Sequence, residues 1–430
     1  MKRLLLKNAL IIDSVRHREF KGDILIENCK IKKVAEEIEI NDREETRTID
    51  LEGKVVTPGM IDMHVHLREP GEENKETIAT GTKAAAYGGF TAVACMPNTY
   101  PAADNEATIE LIKRRAEEAG NCRVLPVGCL TKERQGEIMA EYGFLKDAGV
   151  VALSDDGNGV MNSEVMRHCM EYATLYDLPV LSHCEDENLA EGGQIHEGYY
   201  STILGLQGIP AAAEEIMIAR DIALAELTGA RLHICHISTK GGVELVRRAK
   251  EKGLKVTAEA APHHFSLSDQ ETASYNTATK VNPPLRSEEH IQAVIAGLKD
   301  GTIDVIASDH APHSREEKEV EYPFAPFGIS GVETCLAVSL HYLYHTGKLS
   351  LRQLVEKFTT GPASVLGINI AGIEEGSLAH LTVFDPELVK EVNLKNWHSL
   401  GQNTPYAGKN LKGWPVMTIV GGKITAESLT

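Results

Sequence analysis

The chain has 430 residues, 42% of them apolar, enough for one large domain with a small companion or for two or three of average size. Its formal net charge of −18 is spread over acidic stretches such as "AEEIEINDREE" and "SREEKEVE", read as surface helices, which argues against nucleic acid or an anionic membrane as the main partner. No apolar run is long enough to span a bilayer, and the opening "MKRLLLKNALIIDSV" lacks the apolar length and small-residue cleavage site of a signal peptide, so a cytoplasmic protein is expected.

Residues 1–54 alternate apolar and polar positions between turn residues ("LLLKNALIIDS", "GDILIENCKIKKVAEE", "TRTIDLEGK"), a β-rich pattern. From residue 55 short apolar runs alternate with longer helical stretches, as a parallel sheet with helical crossovers requires. The strand candidates, in chain order, are "VVTPGMIDMHVHL", "FTAVACMPN", "CRVLPVGCL", "VVALSDDG", "LPVLSHCED", "ARLHICHIS", "KVTAEAAPHH" and "TIDVIASDH". Helical stretches such as "NEATIELIKRRAEEAG" and "AAAEEIMIARDIALAELTG" separate them. Eight such units predict a (β/α)8 barrel, in which reactive groups gather at the C-terminal strand ends. A doubly wound open sheet would usually announce a glycine-rich phosphate turn, and neither GxGxxG nor GxxxxGK[ST] occurs. The β pattern returns near the end ("GSLAHLTVFDPE", "PVMTIVGGKITAE"). The expected organisation is therefore a small discontinuous β-sandwich domain, residues 1–54 with 366–430, and a barrel over 55–365. The eight cysteines are scattered singly without CxxC spacing, which favours neither disulfides nor a cysteine-rich zinc site.

In a strand, residues i and i+2 share a face, so His64 and His66 of "GMIDMHVHLREPG" can reach one cation in the barrel mouth. Asp156 ends the fourth predicted strand, His183 the fifth, His236 the sixth and Asp309 the eighth. Four imidazoles and two carboxylates suit zinc or a similar divalent ion, and suffice for two ions sharing a bridging oxygen. Singly, each residue has a plain structural reading: an incidental HxH, a satisfied core histidine, a helix-capping Asp309, a turn at "SDDG". Their coincidence at strand ends is what favours a metal centre. In "ARLHICHIS", His236 shares a face with Leu232 and Ile234 and His233 with Cys235, so parity admits one of the two histidines to the site. His236, nearer the strand end, is the choice, and His263, His264 and His310 are held in reserve.

The segments "GMIDMHVHLREPG", "ACMPNT", "SDDG", "SHCED", "HICHIST", "APHH", "VNPPLR", "SDHAPH" and "APFGISGVET" resemble those of the bacterial type I dihydroorotases of the amidohydrolase superfamily, over essentially the whole chain. That resemblance implies a zinc enzyme interconverting N-carbamoyl-L-aspartate and (S)-dihydroorotate plus water in pyrimidine biosynthesis. It makes His64, His66 and Asp309 ligands of one zinc ion and His183 and His236 ligands of a second, with Asp156 and a hydroxide as bridges. Many superfamily members bridge with a carboxylated lysine instead. The nearest lysine here, Lys146, precedes the strand. The resemblance further implies that Asp309 moves the proton while metal-bound hydroxide attacks the cyclic amide. Arg68, Asn98 and His313 would clasp the substrate α-carboxylate, and Asn282 with the backbone of Phe327 and Gly328 would meet the ring edge. A homodimer and association with aspartate transcarbamoylase also follow from the resemblance alone.

Two rival readings are another cyclic amidohydrolase (hydantoinase, dihydropyrimidinase or allantoinase) and an inactive scaffold partner of aspartate transcarbamoylase. The first would not need a carboxylate clamp, and the second would not need all six ligand positions filled. The charged, then Pro- and Phe-containing stretch 314–328 reads equally as a lid over the pocket and as a solvated connection.

Overall fold

A computed structural model describes residues 3–40 and 45–429 of the chain. The two ends meet in one eight-stranded sheet, in which Leu381–Glu391, Asn410–Val420 and Lys423–Glu427 join five strands from the first 58 residues. Leu6, Ile11, Ile24, Val56, Val383 and Ile419 form its core. The acidic stretch expected as a helix after residue 35 is instead irregular over 36–40, and residues 41–44 of it lie outside the described residues. Alternation in "KIKKVA" just before it already favours the strand Lys30–Ala35, which pairs antiparallel with Arg18–Glu27.

The predicted first strand is two strands. Val55–Pro58 lies in the terminal sheet, antiparallel to Leu381–Phe384, and Met60–Val65 opens the barrel. The chain passes between them at Gly59, where an added Cβ would stand 2.1 Å from Thr91 Oγ1, so only glycine lets the two sheets approach this closely.

The barrel strands, Met60–Val65, Phe90–Cys95, Arg123–Cys129, Ala152–Ser154, Val180–Ser182, Leu232–Ile234, Val256–Ala260 and Val305–Ile306, pair in parallel and in chain order. Closure comes beyond the eighth strand, where His310 bridges Val65 and its carbonyl accepts the His66 N–H at 2.8 Å. This is a (β/α)8 barrel carrying a small β domain built from both ends of the chain, as the strand pattern predicts.

The helices follow from local chemistry. In Glu106–Ala119 the Asn105 side chain accepts from Thr108 N, Gly120 ends the helix at φ 62°, and Ile109, Ile112 and Ala116 face the barrel. Val93, Leu153, Val180, Leu232, Ile234 and Val256 point outward to that helical layer. Ile61, Met63, Ala92, Leu125, Val127, Leu181, Cys235 and Val305 point inward, and Ala363, Val365 and Leu366 pack with them. The lower barrel is thus closed by apolar side chains, and the polar groups collect at the strand C-termini. All eight cysteines are free thiols, buried except Cys29. Among the described residues no helix is long and apolar enough to cross a membrane.

Candidate active site

Strict alternation does not by itself bring the predicted ligands together; local backbone irregularities do. Ile61 and Met63 point into the barrel while Val65 and Leu67 point out, so side-chain phase changes between Met63 and His64, where the register against the second strand shifts. The shift turns His64 and His66 into the mouth. His236 and Asp309 adopt left-handed backbone conformations (φ 33° and 49°), as does Arg68 (φ 60°). Such conformations cost roughly 1–3 kcal/mol each, and they cluster where a side chain must be aimed against the strand's alternation.

This corrects the parity reading of "ARLHICHIS". Ile234 faces outward and Cys235 inward, so alternation alone would send His236 out; its positive φ returns it to the site. His233 also points into the barrel, and its Nε2 lies 3.3 Å from Glu259 Oε2. Both histidines are interior, and only His236 lines the cavity.

His64 Nε2 lies 3.3 Å from Asp156 Oδ1 and 3.6 Å from Asp309 Oδ1, and His66 Nε2 lies 3.5 Å from Asp156 Oδ2 and 3.4 Å from Asp309 Oδ1. His236 Nε2 is 3.6 Å and His183 Nδ1 3.8 Å from Asp156 Oδ1, and these two ring nitrogens face each other at 3.0 Å. Asp156 therefore lies within 3.8 Å of all four rings. Among the described residues two trios bring ligand atoms within 4.8 Å of one another, His64–His66–Asp309 and His64–Asp156–His236, and a third, His64–Cys235–Glu259, lies on the other side of His64.

The donor set fits a metal. His64 Nε2, Asp156 Oδ1 and His183 Nε2 are buried without hydrogen-bond partners, and a buried group without a partner is costly unless a cation satisfies it. Burial opposes the charge on Asp156 and Asp309, but the surrounding imidazoles outweigh it and hold both carboxyls below the ordinary range. Burial likewise opposes a charged His64, yet Asp156 and Glu259 push its pKa well above the usual histidine value. Burial dominates at His66, lowering it. Carboxylates kept ionised among inward-turned imidazole nitrogens make a ready cation cradle.

The remaining predicted residues ring the same space. Except for His64, which is fully buried, every predicted site residue lines one cavity of ≈ 240 Å³. Arg68 donates from Nε to Pro312 O at 3.2 Å, and its guanidinium reaches within 3.5 Å of His313 Nε2. Asn98 Oδ1 accepts from His66 Nδ1 at 2.8 Å, which fixes the ring with Nε2 toward the carboxylates and leaves the Asn98 amide N–H groups for other acceptors. His313 Nε2 lies 2.8 Å from Phe327 O, and burial together with Arg68 pulls its pKa down to about 3, so the ring is neutral. Asn282 Nδ2 donates to Glu185 Oε2 at 2.9 Å. Gly328, at φ 144°, sits where an added Cβ would stand 2.7 Å from Ala311 O.

Of the reserve histidines, His263 Nε2 points toward Asp309 Oδ2 at 3.9 Å, His264 binds Pro283 O at 2.9 Å, and His310 is engaged by Glu76 and the Gly331 N–H. Sequence reading missed Glu259, which bonds His64 Nδ1, and Glu185, 3.5 Å from His183 Nε2. Two-residue spacing from His183 is a signal for Glu185. Glu259 offers only its position two residues after Thr257 on a strand that also ends in histidines.

A family model described as dihydro-orotase-like matches residues 53–242. A dihydroorotase of Pelotomaculum thermopropionicum is 52% identical over 425 residues, covering 99% of this chain and 99% of that one. One of Syntrophus aciditrophicus is 49% identical with the same coverage. In three dimensions the chain is similar to an L-hydantoinase (dihydropyrimidinase) of Arthrobacter aurescens, with a TM-score of 0.87, 27% identity, and 99% and 96% of the two chains covered. Sequence likeness of this degree along essentially the full length means that the chain belongs to the dihydroorotase family.

Proposed function

We propose that the protein is a type I dihydroorotase, a cytoplasmic enzyme of pyrimidine biosynthesis that interconverts N-carbamoyl-L-aspartate and (S)-dihydroorotate plus water. The observation that carries this reading is a buried guanidinium, Arg68, in the same ≈ 240 Å³ cavity as the carboxylate and imidazole cluster. A metal-activated cyclic-amide hydrolase needs the cluster. Only a substrate with its own carboxylate needs the arginine, which separates this reading from a hydantoinase or dihydropyrimidinase.

The metal is proposed to be zinc, as two ions, held by His64, His66 and Asp309 and by His183 and His236, with Asp156 between them; mixed imidazole and carboxylate donors support that choice. When bound, such ions supply an acidified water and polarise the amide carbonyl. The chain's own residues do the rest. Arg68 pairs with the substrate carboxylate, and the free amide N–H groups of Asn98 add a directional donor. Asn282 and the backbone of Phe327 and Gly328, all on the cavity wall, meet the ring edge, and His313 stands beside Arg68 at the carboxylate. Asp309, ionised at neutral pH, takes the proton from the attacking water as the C–O bond forms. It returns that proton to the ring nitrogen as the C–N bond breaks. In ring closure the same carboxylate works in the opposite order.

The test is turnover of dihydroorotate, dihydrouracil and hydantoin by one purified preparation, with metal content measured alongside. Preferred hydrolysis of dihydroorotate with stoichiometric zinc is expected. Preference for an uncharged ring would overturn the assignment.

A further inference from the structure

The stretch 314–328 contributes its last two residues, Phe327 and Gly328, to the cavity wall, and what holds them there is unusual. Two lysines are nearly inaccessible, Lys280 at 2% and Lys318 at 7% exposure, and neither forms an ion pair with any described carboxylate. Lys318 Nζ donates to the carbonyls of Pro326 (2.7 Å), Thr277 (3.0 Å) and Lys280 (3.4 Å). Lys280 Nζ donates to the carbonyls of Tyr322 (3.0 Å) and Pro323 (2.9 Å) and stands 4.8 Å from the centre of the Phe327 ring. Lys280 bonds only across to 322–323, and Lys318 bonds across to Thr277 and Lys280 as well as within its own segment to Pro326, so the two cross-tie 277–280 to 318–328. Gly328 N donating to Lys280 O and the Thr277 hydroxyl donating to Lys318 O complete the seam.

We propose that Lys280 and Lys318 are positioning residues whose carbonyl-caged ammonium groups latch the wall bearing Phe327 and Gly328 over the substrate, and that alkaline conditions loosen this latch. The proposal rests on the reading of the cavity as the substrate site. Charge is what the cage selects. A carbonyl cluster around a buried ammonium replaces lost water, whereas a neutral amine offers two donors and no charge-assisted bond. Burial draws Lys280 down to about 8, and burial with repulsion from Lys280 draws Lys318 down to about 7, against the attraction of Glu317. The other charged groups near the seam are committed elsewhere: Glu317 to Lys75 and His313, Arg315 to Glu319, and Arg68 to Pro312 O. None of these forms an ion pair with either ammonium group that would hold its proton at higher pH. Loosening the wall frees the backbone that His313 Nε2 holds through Phe327 O, so binding should suffer before chemistry does.

The test uses the full-length, metal-loaded enzyme. Hydrogen exchange of peptides covering 318–328, corrected for intrinsic rates, and KM for dihydroorotate are followed at about pH 6 and about pH 9, on either side of the two depressed lysine values. Protection in the wild type should fall about tenfold and KM rise about tenfold at the higher pH, the scale of one lost charge-assisted bond, with kcat changing much less. Lys318→Met should show the raised KM and low protection at both pH values. A wild type whose protection and KM are flat, or a Lys318→Met enzyme with wild-type KM, would overturn the latch. If Lys318→Met does not fold, Lys280→Met and the wild-type series decide the matter in the same terms. A protein inert toward dihydroorotate would defeat the functional reading instead, and the exchange profile alone would then judge the latch.

Discussion

Glu259 Oε1 lies 2.5 Å from His64 Nδ1, deep in the barrel, and the other oxygen of the same carboxylate lies 3.3 Å from His233 Nε2. The first contact holds a proton on Nδ1, so Nε2, facing Asp156 and Asp309, is the nitrogen that would give up its proton to a cation. Glu259 Oε1 also accepts the backbone N–H of His236 at 3.3 Å, the residue whose positive φ aims it at the second trio. One buried carboxylate therefore orients a ligand on each side of the cluster.

Removing that carboxylate should show first in metal binding. Glu259→Gln is expected to weaken zinc affinity by about 10–100-fold, the usual consequence of losing a partner behind a ligating histidine. Competition with a chromophoric chelator measures this directly. Zinc affinity equal to that of the wild type would show that His64 orients itself without help.

Asp309 is assigned both a place among the metal ligands and the proton transfer, so its variant is compared with the wild type at equal metal loading. Asp309→Asn keeps the shape of the side chain and the cluster around it, and the fold should survive, as judged by circular dichroism. Turnover should drop by roughly 10²–10⁴-fold, the range associated with a general acid–base group. Near-native kcat in a correctly folded, metal-loaded variant would remove Asp309 from the proton path.

Arg68 distinguishes substrates. Arg68→Ala should raise KM for dihydroorotate by about 10–100-fold, since a hydrogen bond to a charged group is worth about 1.5–3 kcal/mol, while slow hydrolysis of dihydrouracil should change little. Parallel steady-state measurements on both substrates decide this. An equal loss on both would mean that Arg68 supports the loop through Pro312 O and does not read the carboxylate.

The barrel was legible because its signal is repeated: apolar runs and helical stretches alternate, and the polar strand-end residues sit where such a fold needs them. The assembly of the site was less legible, because it depends on departures from regularity. No periodicity marks the phase change at His64, the left-handed turns at His236 and Asp309, or the break at Gly59 that divides one apparent strand between two sheets. Glu259 was invisible for a related reason. Its role depends on which strands neighbour the seventh in the closed barrel, a relation that no local pattern in "KVTAEAAPHH" contains.

Glu214 is a second buried carboxylate, and its role is pH-dependent stability. It lies in the first turn of Ala211–Thr228 and accepts from the backbone N–H groups of Ser238 (2.9 Å) and Thr239 (3.1 Å), from the Ser238 hydroxyl, and from Arg286 at 3.3 Å. It thereby anchors the loop just beyond His236. Burial raises its pKa, but Arg286 and the Ser238 donors overcome that and hold it below the ordinary glutamate value. Burial also lowers Arg286, but a guanidinium starts so high that it keeps its proton throughout the accessible range. Because the folded carboxyl binds a proton less readily than the unfolded one, its stabilisation is complete above the unfolded value of about 4.3 and disappears as pH falls through the folded value. Glu214→Gln should therefore cost about 3–5 kcal/mol near neutrality, where it strands a buried Arg286, and progressively less in acid. Urea midpoints of metal-free wild type and variant, at about pH 7 and about pH 3.5, measure the gap without interference from ion loss. A gap that is the same at both pH values would show that the carboxylate's charge contributes nothing to holding this loop.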